Sequence, residues 1–457
     1  MESAIHTAAG SAASPFAYWA ACIIFVVCLA MIVFEKIHKT KVALFGAALV
    51  LLLSIVSQEE AFHSMDLGID YNVIFLLISM MILVGILGRT GVFQWTAVKL
   101  AKWARGRPMI ILVIFIIFTA VFSALLDNVT TVLLFVPVTL LVADELELDP
   151  TVFLVTEALA ANIGGTATLI GDPPNLMIAS RSKLTFLDFL LNLGPPVALM
   201  MLALLAAVWL LFRRKLQVDD AHRQHIMSMN ETRLIKDPVL AKKSIAVLGL
   251  TVVGFALHGV LGYEPATVAL AGAALLLLFS RLDPQEILRE VEWPTVFFFI
   301  GLYVMIGAVV KVGIIADLSR VVIAITEPSA TSMHGTALIL MWFSALVSGV
   351  VDNIPYVATM APLVTDMART VLGHGGGELP LAVLHSPVLL PVWWSLALGA
   401  CLGGNATPIG ASANLVVLGI AERSGHRISF PRFMAYGLPT MILTLVIASI
   451  YITLRYY

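Results

Sequence analysis

Two Asp-Asn pairs, Asp127-Asn128 and Asp352-Asn353, stand in the middle of long apolar runs. An ionisable group placed in hydrocarbon costs on the order of several kcal/mol, so such a residue has a partner or a task. A carboxylate there can hold a cation or carry a proton, and the amide beside it offers one acceptor and two donors. Each pair can also cap the helix that follows it, since Asp and Asn are strong N-caps. The two roles are compatible, because a capped helix leaves an electropositive N-terminus at the same spot.

Two glycine-rich segments interrupt other apolar runs: Gly164-Gly165-Thr166-Ala167-Thr168 and Gly403-Gly404-Asn405-Ala406-Thr407. Glycine tolerates unwound backbone, and carbonyls and amides freed in that way need solute, ion or water. Close helix packing explains a single glycine as well. It does not explain a polar cluster ending in Asp172-Pro173-Pro174-Asn175, because Pro-Pro does not continue a regular helix. The expected substrate-binding residues are therefore Asn128, Thr130, Asn353, Gly164, Gly165, Thr166, Thr168, Asn175, Gly403, Gly404, Asn405, Thr407 and Asn414. Asp127, Asp352 and Asp172 are the expected proton- or cation-coupling carboxylates. Thr130 and Thr131 follow Asp127, whereas Pro355 and Tyr356 follow Asp352. The hydroxyls favour a charged Asp127, and the more apolar setting favours a protonated Asp352, so Asp352 is expected to carry the proton and Asp127 to hold substrate or cation. Glu157 is either a third buried carboxylate or half of a helix-boundary salt bridge.

These segments belong to an internal repeat. Residues 123–137 echo 348–362, residues 164–176 echo 403–415, and Gly85, Arg89 and Gly91 correspond to Gly307, Lys311 and Gly313. Asp172 becomes Ala411, and Glu157 becomes Leu396, so the halves are chemically unequal. Repeats with broken helices mark secondary transporters.

The elements that must hold such a site are membrane helices. Of 457 residues 60% are hydrophobic and only 12% charged, against about 25% charge in soluble domains. Spans are expected at 18–34, 42–57, 72–88, 151–180, 185–212, 244–262, 266–280, 295–312, 391–421 and 432–454. The runs 108–143 and 335–371, with Asp-Asn in the middle, are expected to be re-entrant hairpins. The segments 35–41, 89–107 and 213–243 are basic, whereas 58–70 has no Lys or Arg. Basic loops collect on the cytoplasmic side, and only the hairpin reading of 108–143 keeps all three there. The expected fold is an all-α polytopic membrane protein of two inverted repeats, each with five spans, a hairpin and an interrupted helix. Residues 1–212 form the first repeat, 213–243 a cytoplasmic linker and 244–457 the second, with both termini outside an inner (plasma) membrane. No basic stretch precedes the first apolar run, so a cleaved signal peptide is not expected.

Several classes fall away. The net charge of -2 gives no reason to expect a nucleic-acid partner. Cys22, Cys28 and Cys401 lack metal-ligand spacing, and His222 with His225 lies in a polar loop without further ligands. No phosphate-binding loop of the nucleotide-hydrolysing type occurs, no cofactor is implied, and no catalytic constellation marks an enzyme.

The motifs at 123–137, 162–175, 352–362 and 399–414 resemble the ion transporter superfamily. Their wording is similar to its branch of arsenite permeases, NhaD-type sodium/proton antiporters and P proteins, most of all the P-protein group. The resemblance spans roughly residues 20–455. It implies a scaffold and a moving transport domain that carries substrate by an elevator-like displacement, often in a homodimer. Dicarboxylate symporters of the superfamily have a Ser-Asn-Thr hairpin tip, where this chain has Asp127-Asn128-Val129 and Asp352-Asn353-Ile354. Acidic tips suit a cation, a proton or neutral As(OH)3 better than a dianion, which leaves citrate or succinate symport a minor reading. The leading expectation is proton-coupled efflux of arsenite or antimonite, with Cys401 as an optional thiol contact. Sodium/proton antiport and a gated anion channel are the alternatives.

Overall fold

The computed structural model describes residues 14–33, 36–64, 67–216, 218–374 and 379–457; among them the chain is helical, with no strand beyond an isolated bridge. The first residues, on which the absence of a signal peptide was read, lie outside this set, as does the side chain of His225. In chain order the helices are α1 (Pro15–Val33), α2 (Lys39–Leu52), α3 (Gln58–His63), α4 (Tyr71–Arg89), α5 (Val92–Trp103), α6 (Pro108–Leu125), α7 (Asn128–Glu145), α8 (Thr151–Gly165), α9 (Pro173–Ser182) and α10 (Phe186–Phe212). After α11 (Asp220–Ser228) the order recurs as α12 (Pro238–Leu261), α13 (Pro265–Ser280), α14 (Pro284–Leu288), α15 (Trp293–Lys311), α16 (Ile314–Thr326), α17 (His334–Ser348) and α18 (Asn353–Val371). A single added turn, α19 (Leu381–Leu384), precedes α20 (Leu390–Gly403), α21 (Ser412–Arg423) and α22 (Phe430–Tyr456).

Eight described helices are long and apolar enough to cross a membrane: α1, α4, α6, α7, α10, α12, α15 and α22. The expected spans 151–180 and 391–421 are each two helices, α8 with α9 and α20 with α21. The span drawn at 42–57 stops at Leu52, because Ser57 and Glu60 form a capping box that starts α3 instead. The span drawn from 244 begins earlier, since Asp237 accepts from the amides of Val239 and Leu240 and Pro238 occupies the first helical position. Lys242 and Lys243 are thus part of a helix rather than of a loop. The basic stretch after Arg89 is likewise helical, as α5.

The linker is docked. Lys102 of α5 bonds the Glu231 carboxylate at 2.6 Å and the Met229 carbonyl at 3.0 Å, and the Lys236 amide reaches the Thr90 carbonyl at 2.9 Å. His222, read as part of a polar loop rather than of a metal site, lies 3.4 Å from Glu147.

The chain divides into two compact units that cut across the expected 1–212 and 244–457 halves. One comprises residues up to Asp70 with Trp293–Ile325, the other Tyr71–Glu292 with Thr326–Tyr457. In the first, α2 lies along α15, where a Cβ on Gly301 would come within 2.6 Å of the Ala43 carbonyl carbon. Lys311 and Glu60 pair there at 2.7 Å. In the second, α6 packs on α8 and α17 on α20 with the same small-residue logic. A Cβ on Gly164 would lie 2.2 Å from the Ala120 carbonyl oxygen, and one on Gly403 would lie 2.5 Å from that of Ala345. Backbone cannot swing away as a side-chain end does. Gly164→Ala or Gly403→Ala is therefore expected to lower the melting temperature by several degrees or to abolish monodisperse protein in detergent. Gly419→Ala, with nothing within 4 Å of the new carbon, is expected to leave both unchanged.

Candidate functional site

All the residues singled out at the Asp-Asn turns and glycine breaks lie in the second unit. A two-residue turn joins α6 to α7, and Phe118 and Phe122 meet Phe135 across it at 5.0 and 5.6 Å, folding the arms together. Asp127 caps α7, accepting from the Thr130 amide at 2.8 Å and the Thr130 hydroxyl at 2.6 Å. Asp352 caps α18 through the Ile354 amide at 3.1 Å, and Ser344 bonds Tyr356 at 2.9 Å across that turn. The capping role read for both aspartates is present. The apolar surroundings expected of Asp352 are not: the hydroxyl of Ser412, at the start of α21, donates to it at 2.8 Å. Sequence order hid this contact, because Ser412 is 60 residues away and its counterpart in the first half is Pro173.

The first break unwinds after Gly165 and the second after Gly403, and each is closed by a new helix. Pro173 and Pro174 occupy the first two positions of α9, where the missing amide protons cost nothing. The same side-chain bonds recur in both halves. Ser123 donates to the Ala161 carbonyl and Ser348 to the Ala400 carbonyl, both at 2.6 Å. Thr168 donates to the Ala124 carbonyl at 2.5 Å and Thr407 to the Gly349 carbonyl at 2.6 Å. Asn175 donates to the carbonyls of Thr166 and Thr168 at 3.2 and 2.9 Å, as Asn414 does to those of Gly404 and Thr407 at 2.8 and 3.0 Å. The freed carbonyls, expected to await a solute, are thus engaged by these two asparagines. The Thr166 hydroxyl donates to the Asn162 carbonyl at 2.8 Å.

The centre of the site is Asn162, which the candidate set omitted. Its Oδ1 accepts from Asn128 at 3.1 Å, and its Nδ2 donates to Oδ1 of Asn405 and of Asn414, each at 3.0 Å. The repeat offered a signal that chemistry obscured, because Asn162 matches Cys401. The Cys401 thiol donates to Oδ1 of Asn175 at 3.5 Å, just as Asn162 donates to Asn414. Each first-arm residue reaches the asparagine of the other half, so Cys401 is engaged as a hydrogen-bond donor. Asp172 accepts two bonds from Asn353 at 3.1 and 3.3 Å, and the Asn128 amide donates to the Gly171 carbonyl at 3.1 Å. Both hairpin-like turns therefore touch the first break.

Asn128, Asn162, Asp172, Asn175, Asn353, Asn405 and Asn414 are all buried. Two of their side-chain atoms have no hydrogen-bond partner: Oδ1 of Asn128, an acceptor, and Nδ2 of Asn405, a donor. Both flank the Asn162 amide, and no basic side chain belongs to the network. Such a lining can exchange hydrogen bonds in both directions. Among the described residues, no three His, Cys, Asp or Glu side chains converge as a metal site. Glu157 lies in the second turn of α8 at 1% exposure and bonds the Thr139 hydroxyl at 2.8 Å, so it is a buried carboxylate, as Asp172 is, rather than half of a boundary salt bridge.

Apolar membrane-length helices, with two interrupted ones that meet in a buried core of amides and carboxylates, mark a multi-pass membrane transporter. The fold is that of the YdaH transporter of Alcanivorax borkumensis, with a TM-score of 0.57 at 12% identity over 96% of this chain and 98% of that one. The chain belongs to the citrate transporter (CitMHS) family, whose pattern matches residues 29–399, within the ion transporter superfamily. An uncharacterized transporter of Mycobacterium tuberculosis is 46% identical over 434 residues, 95% of this chain and 97% of that one. The human P protein is 32% identical over 499 residues, covering 93% of this chain and 58% of its own length. The resemblance to the P-protein group is thereby found across nearly the whole chain.

Proposed function

We propose that this protein is a proton-coupled secondary transporter that exports arsenite or antimonite across the plasma membrane. The observation that carries the reading is the unpartnered pair, Oδ1 of Asn128 and Nδ2 of Asn405. Neutral As(OH)3 donates through a hydroxyl and accepts through an oxygen, so it complements both atoms, and a buried polar atom left unpaired costs about 1–3 kcal/mol. A free citrate anion is served less well, since the carboxylates of Asp127 and Asp172 stand beside the network and carry the same sign of charge. In this reading the two halves are inverted, α6–α7 and α17–α18 are re-entrant hairpins, and these with the broken helices move as an elevator. The 213–243 linker stays cytoplasmic, both termini lie outside, and the transporter works as a homodimer.

Sodium/proton antiport is the second reading, favoured by the carboxylates around the same centre. Proteoliposomes with an imposed pH gradient decide between them, with arsenite, antimonite, Na⁺, Li⁺, citrate and chloride tested separately. Arsenite flux that rises with the gradient and moves protons in exchange is the expected result. Proton exchange with Na⁺ alone selects the second reading, and gradient-independent chloride flux defeats both.

A further inference from the structure

Glu157 is a buried carboxylate with no part in the solute site. Counting about 1.5 Å per residue along the helices, it lies some 7–8 Å before Asn162 on α8, and its partner Thr139 lies about 18 Å beyond Asp127 on α7. One carboxyl oxygen takes the Thr139 hydroxyl, while Oε2 is buried without a partner. Around the pair is an apolar cluster that includes Val136, Leu140, Leu154 and Ala158.

The internal repeat supplies a control within the same molecule. The residues matching Thr139 and Glu157 are Val364 and Leu396, both fully buried and wholly apolar. Packing at this crossing therefore does not require a carboxylate, and a buried polar pair is commonly no more stable than an apolar one of similar volume. The first half carries an acid here for another reason. Charges on the elements packed around α8 sit near their ends: Asp144 and Glu145 on α7, Asp188 on α10, Glu422 and Arg423 on α21, Arg432 and Arg455 on α22. α6 carries none and α20 adds only the Cys401 thiol; among the described residues no charged group pairs with Glu157, and its one hydrogen bond is that to Thr139. A lone carboxylate ion in such surroundings is costly, and a carboxylic acid is not.

We propose that Glu157 is a second proton-binding residue of the transporter, loaded while α7 is closed on α8 and emptied when that contact opens. Pro137 lies within α7 two residues before Thr139. A proline there removes a backbone hydrogen bond and makes a natural bending point. On opening, the acid passes its proton to an entering water, leaving a carboxylate and a hydronium ion. This role rests on the proton-coupled reading above, but its test does not.

The test is infrared difference spectroscopy of the full-length protein in nanodiscs, cycled in pH with and without arsenite or Na⁺. A protonated-carboxyl band should respond to pH, and it should vanish in Glu157→Gln. It should vanish equally in the double variant Thr139→Val with Glu157→Leu, which copies the second half and so should fold. An unchanged band in both variants, or a Glu157 band that never responds to pH, overturns the proposal. A responsive Glu157 band in a protein that moves no protons with any solute supports the proton site while defeating coupled transport.

Discussion

Asn162→Leu is expected to remove solute binding and to lower the stability of the purified protein by several degrees. The change deletes three hydrogen bonds at once and leaves Nδ2 of Asn128 and the Oδ1 atoms of Asn405 and Asn414 without a partner in a dry core. Each such orphan costs about 1–3 kcal/mol of folding stability. Without Asn162 to hold them, Asn128 and Asn405 no longer present their open atoms to the solute, so a loss of about a hundredfold in affinity is expected, at about 1.4 kcal/mol per tenfold. Asn162→Cys should be far milder. The second half already uses a cysteine, Cys401, at the matching position to reach the opposite asparagine. Cys401→Asn should then be tolerated, with near-normal binding. Isothermal titration with arsenite and thermal melts of all three variants check this series. Equal damage from Leu and Cys at position 162 would mean that the amide acts by itself and not as a link between halves.

Much of this was legible in the sequence because the repeat leaves paired marks. The Asp-Asn turns, the glycine breaks and the Pro-Pro start of α9 were each readable from local backbone chemistry, since caps, unwinding and proline rules act within a few residues. What local rules could not reveal was who bonds to whom. Ser412 reaches Asp352 and Asn162 reaches Asn405 and Asn414 only after the chain has folded, at separations of 60, 243 and 252 positions. Asn162 also sits inside an apolar helix where a single amide reads as incidental. The helix ends were misplaced at α2 and α12 for a similar reason: hydropathy continued through Ser57 and weakened at Lys242, while the caps at Ser57 and Asp237 set the boundaries.

Asp352→Asn is expected to abolish proton coupling while arsenite binding survives, and Asp127→Asn to weaken binding itself. Asparagine caps helices about as well as aspartate, so both variants should keep their turns and fold. The difference lies in what each carboxylate holds. Asp127 takes both its side-chain hydrogen bonds from Thr130 on its own helix and stands next to Asn128, whose Oδ1 is open to solute. Asp352 is tied through Ser412 to the start of α21, and its neighbour Asn353 is tied to Asp172 before α9. A proton arriving at Asp352 therefore alters a contact between separate elements, whereas one arriving at Asp127 alters only a local cap. The tie to Ser412, rather than an apolar setting, distinguishes Asp352 from Asp127. In liposomes, pH-driven arsenite flux should fall at least tenfold in Asp352→Asn with the binding constant within about threefold of wild type. In Asp127→Asn the affinity itself should fall tenfold or more. Ser412→Ala, which removes the tie but spares the acid, should shift the pH dependence of transport without eliminating it. Should Asp352→Asn transport with wild-type coupling, the residue is a helix cap alone and the proton must be carried elsewhere, with Asp172 and Glu157 the remaining buried acids of this unit.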